Sequence, residues 1–202
     1  MADDSELSPE RIEQLSVLQR RLGYEFRNID LLEASLTHRS YANEKRRKRP
    51  HNERLEFLGD AVLGLVLSEQ YFVELPSANE GELSKIRSRL VSASHLAKMS
   101  RVLELGAYLR LGKGETATGG RHKASLLANA LEALTGAIFL DGGYAGATGF
   151  IQKLFDREMD PHLDFKSQFQ EFVQQSRKLI PVYKVMREDG PEHEKVFEIA
   201  VE

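Results

Sequence analysis

The chain has 202 residues, of which 41% are hydrophobic and 29% charged, and it carries a net charge of −3 and no cysteine. This composition predicts a soluble, globular protein of one or two domains, and the lack of cysteine excludes disulfides and cysteine-based zinc sites and fits a reducing cytoplasm. Residues 1–6 do not resemble a signal peptide and the longest apolar stretch, 61–67, is too short to span a membrane, so we expect a cytoplasmic protein without a membrane partner.

Helical periodicity extends over the first 160 residues. Apolar residues recur at helical spacing, capping residues mark the ends, and a loop rich in Gly and Thr is expected over 112–122. No strand pattern appears in this part, so the sequence predicts an all-α domain over 1–160. The predicted helices span 8–22, 29–37, 53–74, 80–89, 94–103, 125–140 and 145–159.

The pattern changes after Pro161. A helix is predicted over 164–178, and alternating residues predict strands over 181–186 and 195–201, with Gly190-Pro191 in the turn between them. Roughly 40 residues can hardly bury an independent core. The region 161–202 therefore reads as the first part of a small α/β module.

One predicted helix carries three acids on a single face. Glu53, Glu56 and Asp60 stand at i, i+3 and i+7, within an arc of roughly 60°. Taken singly, each acid has an ordinary explanation: a favourable charge at a helix N-terminus, pairing with a surface arginine, or capping of a turn. Together they are costly on an apolar helix unless they are paired or bind a metal.

A second apolar helix adds an amide and a carboxylate three residues apart, Asn129 and Glu132. Gly136 continues the same face and would let another backbone approach closely. If the two helices pack together, several oxygen ligands converge, and oxygen-only coordination suits Mg²⁺, with Mn²⁺ as a possible substitute. A divalent ion would remove the repulsion among the acids and activate a bound water.

The run Asn52–Asp60 resembles the signature helix of bacterial ribonuclease III, and the resemblance covers nearly the whole chain. Supporting similarities lie in 36–41, 111–115 and 127–134. Residues 190–193, Gly-Pro-Glu-His, are similar to a turn of the double-stranded-RNA-binding domain of that family.

The resemblance implies an all-α endonuclease domain followed by a partial double-stranded-RNA-binding domain that lacks its third strand and last helix. It implies a homodimer that hydrolyses double-stranded RNA with Mg²⁺ and without a nucleotide cofactor. The expected products carry 5′-phosphates, 3′-hydroxyls and short 3′ overhangs, and the expected role is the processing and decay of rRNA and mRNA.

The resemblance also implies residue roles. The metal ligands would be Glu56, Asp60, Asn129 and Glu132, and the catalytic acids Glu53, Glu56, Asp60 and Glu132, with Glu80 as a further supporting acid. Phe57 would lie at the dimer interface. RNA contacts would come from Ser167, Gln170, Glu171, Pro191 and His193 and from Arg46 and Arg47 of the basic run 45–49. Asn129 departs from the family, which usually has Asp there, and it would weaken metal binding.

Several alternatives stay open. Phe57 could be an ordinary core residue, and His38 could be a catalytic base, although a hydrogen-bonded structural histidine is favoured. The protein could be a non-catalytic binder of double-stranded RNA, with Asn129 as a sign of decay. It could also be a metal-dependent hydrolase of small phosphorylated molecules, a reading that the basic run and the strand pair disfavour.

Overall fold

The computed structural model describes residues 7–44, 50–155, 183–189 and 196–201, and the chain forms two compact units, Met1–Arg157 and Glu158–Glu202. Some predictions fall outside the described residues: the helix over 164–178, the Gly190-Pro191 turn, and the RNA contacts of Arg46, Arg47, Ser167, Gln170, Glu171, Pro191 and His193.

The described part of the first unit is helical, as predicted, apart from one isolated β-bridge between Thr37 and Arg110. The helices are α1 Pro9–Leu22, α2 Ile29–Ser35, α3 Arg39–Glu44, α4 Glu53–Glu74, α5 Glu80–Leu90, α6 Ala93–Val102, α7 Leu105–Tyr108, α8 Lys113–Ala117 and α9 Ala124–Phe155. A 3₁₀ turn, Gly120–His122, precedes α9.

The helix ends follow from local sequence. Ser8 caps α1 by accepting a hydrogen bond from the backbone of Arg11 at 3.3 Å, and α1 stops at Gly23, whose φ of 67° is open to glycine. Asn79 and Glu82 form a reciprocal capping box at the start of α5. These signals are readable in the sequence, and the predicted ends of both helices lie close to the observed ones.

Three predictions of local structure need correction. The expected loop over 112–122 contains α8 and the 3₁₀ turn, and α3 and α7 were not predicted, because helices of four to six residues are too short to show a period. The helices predicted over 125–140 and 145–159 run on as α9 to Phe155, with a kink at Gly143, where φ is 67° and ψ is −166°.

The core of the first unit lies where α4 crosses α9, and the two backbones touch there. A Cβ atom on Gly59 would lie 1.7 Å from the carbonyl oxygen of Glu132, and one on Gly136 would lie 2.3 Å from that of Leu55. Only glycine permits this approach. The close contact foreseen at Gly136 is therefore present. Fully buried side chains surround the crossing: Leu63, Leu67, Leu131, Leu134 and Ile138.

By length and composition, α9 is apolar enough to cross a membrane. An uninterrupted apolar run is a stricter criterion than this average over a window, so the expectation of no membrane partner is not overturned. In the structure 56% of the qualifying window is buried inside the protein. A core helix passes the same test, so the finding is weak evidence for a membrane.

The second unit contains an antiparallel pair of strands in its described part, β1 Tyr183–Asp189 and β2 Val196–Val201. Tyr183 pairs with Val201 and Asp189 with Val196, and the register shifts between Val185 and Arg187. Both predicted strands are present, although β1 starts two residues later than predicted and runs three residues further.

Candidate active site

The crossing of α4 and α9 brings together residues of both acidic runs. Glu56 and Asp60 on α4 lie close enough to Glu132 on α9 for their charges to act on its carboxyl group. The Asn129 side chain donates a hydrogen bond to Glu56. Because Gly59 lies against the backbone of Glu132, the site is built into the closest contact between the two helices. We call Glu56, Asp60 and Glu132 the acidic cluster.

Glu132 is the most perturbed member of the acidic cluster. Its side chain is half-buried, and burial together with the charges of Asp60 and Glu56 raises its pKa from 4.5 to about 7. Burial is the largest cause. In the metal-free protein at neutral pH, the Glu132 carboxyl group is therefore a mixture of protonated and ionised forms.

Glu56 shows the same tendency more weakly. Burial and the charge of Glu53 raise its pKa, while the hydrogen bond from Asn129 lowers it. Asn129 thus stabilises the ionised form of Glu56. An aspartate in its place would add repulsion instead.

The donor set fits a hard divalent cation. Three carboxylates and one amide offer only oxygen ligands, which suit Mg²⁺ or Mn²⁺ rather than Zn²⁺. The raised pKa of Glu132 shows that its surroundings lack compensating positive charge. Among the described residues, no three His, Cys, Asp or Glu side chains are already gathered as a metal-binding group. The fit therefore rests on donor chemistry and electrostatics.

The chain matches the family model described as Ribonuclease-III-like over residues 28–158. The chain is 50% identical to Ribonuclease 3 of Oleidesulfovibrio alaskensis, covering 90% of this chain and 82% of the relative. It is 45% identical to Ribonuclease 3 of Borreliella burgdorferi, covering 95% of this chain and 80% of the relative. The chain belongs to the ribonuclease III family. It is accordingly an endoribonuclease, a phosphodiester hydrolase.

Solved structures agree with this assignment. The nuclease domain of ribonuclease III from Campylobacter jejuni aligns with a TM-score of 0.68 at 39% identity, covering 73% of this chain and 97% of that chain. A second structure of that domain describes structural flexibility in a region involved in dimer formation; it aligns with a TM-score of 0.66 at 41% identity, covering 70% of this chain and 96% of that chain.

The two other acids to which the family resemblance gives a role, Glu53 and Glu80, lie outside the acidic cluster. Glu53 is exposed, accepts a hydrogen bond from Arg39 at 3.0 Å and has His51 at 3.7 Å. Its charge still reaches Glu56. Glu80 begins α5 and accepts a hydrogen bond from Ser84 at 2.8 Å. Of the described acids, Asp60 and Glu56 act on Glu132, and Glu80 does not.

Phe57 is 83% exposed, which excludes the alternative of an ordinary core residue. It heads a stripe along α4 with Ala61, Leu65 and Phe72, all of them exposed and within an arc of roughly 80°. We call these four residues the α4 stripe. Exposed apolar surfaces are typical of interaction sites when they are contiguous and large.

A groove of about 520 Å³ runs beside the acidic cluster, with Asp60 and Arg87 in its walls. Arg87 donates to the Ser68 hydroxyl at 3.1 Å, and that hydroxyl donates to the carbonyl oxygen of Gly64 at 2.6 Å. Arg87 is not among the residues that the sequence predicts at the site. Its place depends on how α4 and α5 pack, for which the sequence carries no direct signal.

His38 is hydrogen-bonded as predicted. Its Nδ1 accepts from the Ser40 amide at 3.2 Å and contacts the Ser40 hydroxyl at 2.8 Å, and that hydroxyl accepts from the Gly112 amide at 2.9 Å. Burial lowers the pKa of His38. A neutral His38 therefore joins α3 to the start of α8, which supports a structural role.

Proposed function

We propose that this endoribonuclease cleaves double-stranded RNA with Mg²⁺, which Glu56, Asp60, Asn129 and Glu132 hold. The observation that carries the proposal is the acidic cluster, in which the burial of Glu132 and the charges of Asp60 and Glu56 raise the pKa of Glu132 to about 7. Such a cluster costs free energy in the absence of a cation. Family membership supports the reaction class.

In the proposed reaction a water oxygen forms a bond to phosphorus while the bond from phosphorus to the 3′ oxygen breaks. One proton of the water ends on the 3′ oxygen, which leaves a 3′-hydroxyl and a 5′-phosphate. When bound, the divalent ion neutralises phosphate charge and activates the water. The chain itself supplies rigid placement, because Glu132 and Asp60 are positioned by helices whose backbones touch.

The part of the groove around Asp60 and Arg87 is the proposed contact with one RNA strand, while Ala61 and Leu65 of the α4 stripe line its apolar side. Arg87 supplies a positive charge there, and its hydrogen bond to Ser68 fixes the direction of the guanidinium group. Double-stranded RNA is recognised chiefly through phosphates, 2′-hydroxyls and helix shape. An arginine beside the acids would hold the backbone without reading sequence.

We also propose that two copies associate through the α4 stripe, with Phe57 packed against the partner. The stripe is exposed in the single chain and lies on the helix that bears Asp60. The flexibility described for the dimer-forming region of the Campylobacter jejuni domain supports an interface in this family. A two-fold arrangement would present two sites, one for each RNA strand.

The second unit is proposed to be the start of a double-stranded-RNA-binding domain, with the nuclease domain over 1–160 and this module over 161–202. The antiparallel strand pair supports it. The contacts assigned to Ser167, Gln170, Glu171, Pro191 and His193, those of Arg46 and Arg47, and a cytoplasmic location remain predictions.

The decisive experiment incubates the full chain with a long RNA duplex, with and without Mg²⁺, and sizes the products. We expect Mg²⁺-dependent cleavage to short duplexes, and a loss of at least about 100-fold in Glu132→Gln at equal protein concentration. Glu25→Gln, an exposed acid elsewhere in the unit, is the matched control. Binding without cutting would select the non-catalytic alternative, and no interaction would reject both RNA functions.

The interface is tested by Phe57→Asp. We expect a dimer for the wild type and a monomer for the variant in analytical ultracentrifugation, since a carboxylate in an apolar contact costs several kcal/mol. Val102→Asp places the same charge at another exposed apolar position, 51% accessible on α6. Equal association of all three proteins would refute this interface.

A further inference from the structure

A second polar cavity opens on the first unit, with a volume of about 320 Å³. It lies between α1 and the segment around Arg110. Its walls carry three arginines together with a glutamine, a tyrosine and one carboxylate. These residues are Arg11, Arg110, Arg121, Gln14, Tyr41 and Glu10. We call it the arginine cavity.

Two of the arginines share one buried carboxylate. Arg11 donates its Nε–H to Glu33 at 2.7 Å, and Arg110 pairs with the other oxygen of the same group. The third arginine, Arg121, donates Nη1–H to carbonyl oxygens of α7 and of the residue that follows α7. Among the described residues, no carboxylate pairs with Arg121. Glu10 is exposed at the rim. The cavity therefore carries excess positive charge.

Arg11 does not use all of its hydrogen-bond donors. Its side chain is only 7% exposed, Nε is used by Glu33, and Nη1 donates to Gln14 at 3.2 Å. Nη2 is buried and has no hydrogen-bond partner among the described residues. A buried donor without an acceptor costs about 1–3 kcal/mol, which a bound anion would recover once the Arg11 guanidinium turns Nη2 towards it. Desolvation is the main cause that lowers the pKa of Arg11, and the charge of Arg110 lowers it further by a smaller amount.

We propose that the arginine cavity binds a small phosphate-bearing molecule, with Arg11, Arg110 and Arg121 around the phosphate. Guanidinium groups are preferred partners of phosphate because they donate in a planar fork. A phosphate offers oxygens in several directions to three separate arginines, whereas a carboxylate has only two in one plane. The volume lies at the lower end of small-molecule pockets, which fits a phosphate with a sugar-sized substituent.

The test titrates the full chain with inorganic phosphate by calorimetry, in EDTA and at constant ionic strength, with chloride as the reference anion. Gln14→Glu is the informative variant: Gln14 is exposed, so the chain should still fold, and its new carboxylate would pair with Arg11 and occupy the site. Val17→Glu, which adds the same charge to α1 outside the cavity wall, is the matched control.

We expect saturable phosphate binding by the wild type and Val17→Glu, and at least tenfold weaker binding by Gln14→Glu. Equal phosphate responses in all three proteins would overturn the proposal, because the response would then not depend on the arginine cavity. Duplex-RNA affinity in EDTA identifies the source of the phosphate. Unchanged affinity in Gln14→Glu supports a small ligand, and a tenfold loss would show that the cavity serves the RNA backbone and overturn the proposal.

Discussion

The acidic cluster and the arginine cavity are two unbalanced groups of charges with opposite sign. In the first, three acids converge and the pKa of Glu132 rises to about 7. In the second, Arg11 and Arg110 share the single carboxylate of Glu33. The comparison teaches that excess charge on partly buried groups points to a ligand of the missing sign: a divalent cation in one place, an anion in the other.

The two groups differ in what holds them together. The acids of the cluster repel one another and are held by the packing of α4 on α9 at Gly59 and Gly136. In the arginine cavity, Glu33 attracts both of its arginines and ties α1 and α2 to the Arg110 segment. Removing one acid should therefore have opposite effects on stability at the two places.

The largest effect is expected for Glu33→Gln. This change leaves the buried guanidinium group of Arg11 and the partly buried one of Arg110 without a counter-charge, and breaking a buried pair in this way costs about 3 kcal/mol. Urea denaturation of the metal-free chain measures it. Glu13→Gln removes an exposed acid whose arginine partner lies 3.7 Å away, and it should change stability by less than about 0.5 kcal/mol. Equal stability of the two variants would show that Glu33 does not hold this region together.

The second-largest effect is expected for Gly59→Ala, which should lower the free energy of unfolding by about 2 kcal/mol. Its Cβ would meet the Glu132 carbonyl oxygen at 1.7 Å, so α4 and α9 must separate and the acids move apart. Gly64 lies on the same helix with nothing within 4 Å, so Gly64→Ala should be neutral or stabilising. Melting of both variants, with and without Mg²⁺, gives the comparison. A Gly59→Ala protein as stable and as Mg²⁺-responsive as Gly64→Ala would refute the helix contact as the basis of the site.

Most of the acidic cluster could be predicted from the sequence, but little of the arginine cavity could. Helical spacing predicts that Glu56 and Asp60 share one face, and Gly136 predicts a close contact between helices. Both predictions are possible because they depend only on residues that are close in the chain. Arg11, Glu33 and Arg110 are far apart in the chain and meet only through tertiary packing. Short helices such as α7 and α8 show no period, so the segment that carries Arg110 and Arg121 could not be placed.

Glu132→Gln should stabilise the metal-free protein at pH 8. The folded-state pKa of Glu132 is raised from 4.5 to about 7, so the folded state binds its proton more tightly than the unfolded state does. Wild-type stability should therefore fall, relative to the variant, as pH rises from about 4.5 to about 7, and then level off. Solvent screening limits the difference to about 1 kcal/mol. Urea denaturation in EDTA at pH 4.5, 6 and 8 measures it, and a difference independent of pH would contradict the raised pKa.

Asn129→Asp should give the smallest change in stability, and it should act mainly on the binding of Mg²⁺. The new carboxylate removes the hydrogen bond to Glu56 and adds a like charge, so the metal-free protein should lose less than about 1 kcal/mol at pH 8. The same charge should strengthen cation binding and lower the Mg²⁺ midpoint of thermal stabilisation about three- to tenfold. Asn28→Asp, an amide that caps α2, controls for added charge. If both the Mg²⁺ midpoint and the cleavage rate stay unchanged, Asn129 neither ligates the ion nor weakens its binding, and Glu56, Asp60 and Glu132 would have to hold it alone.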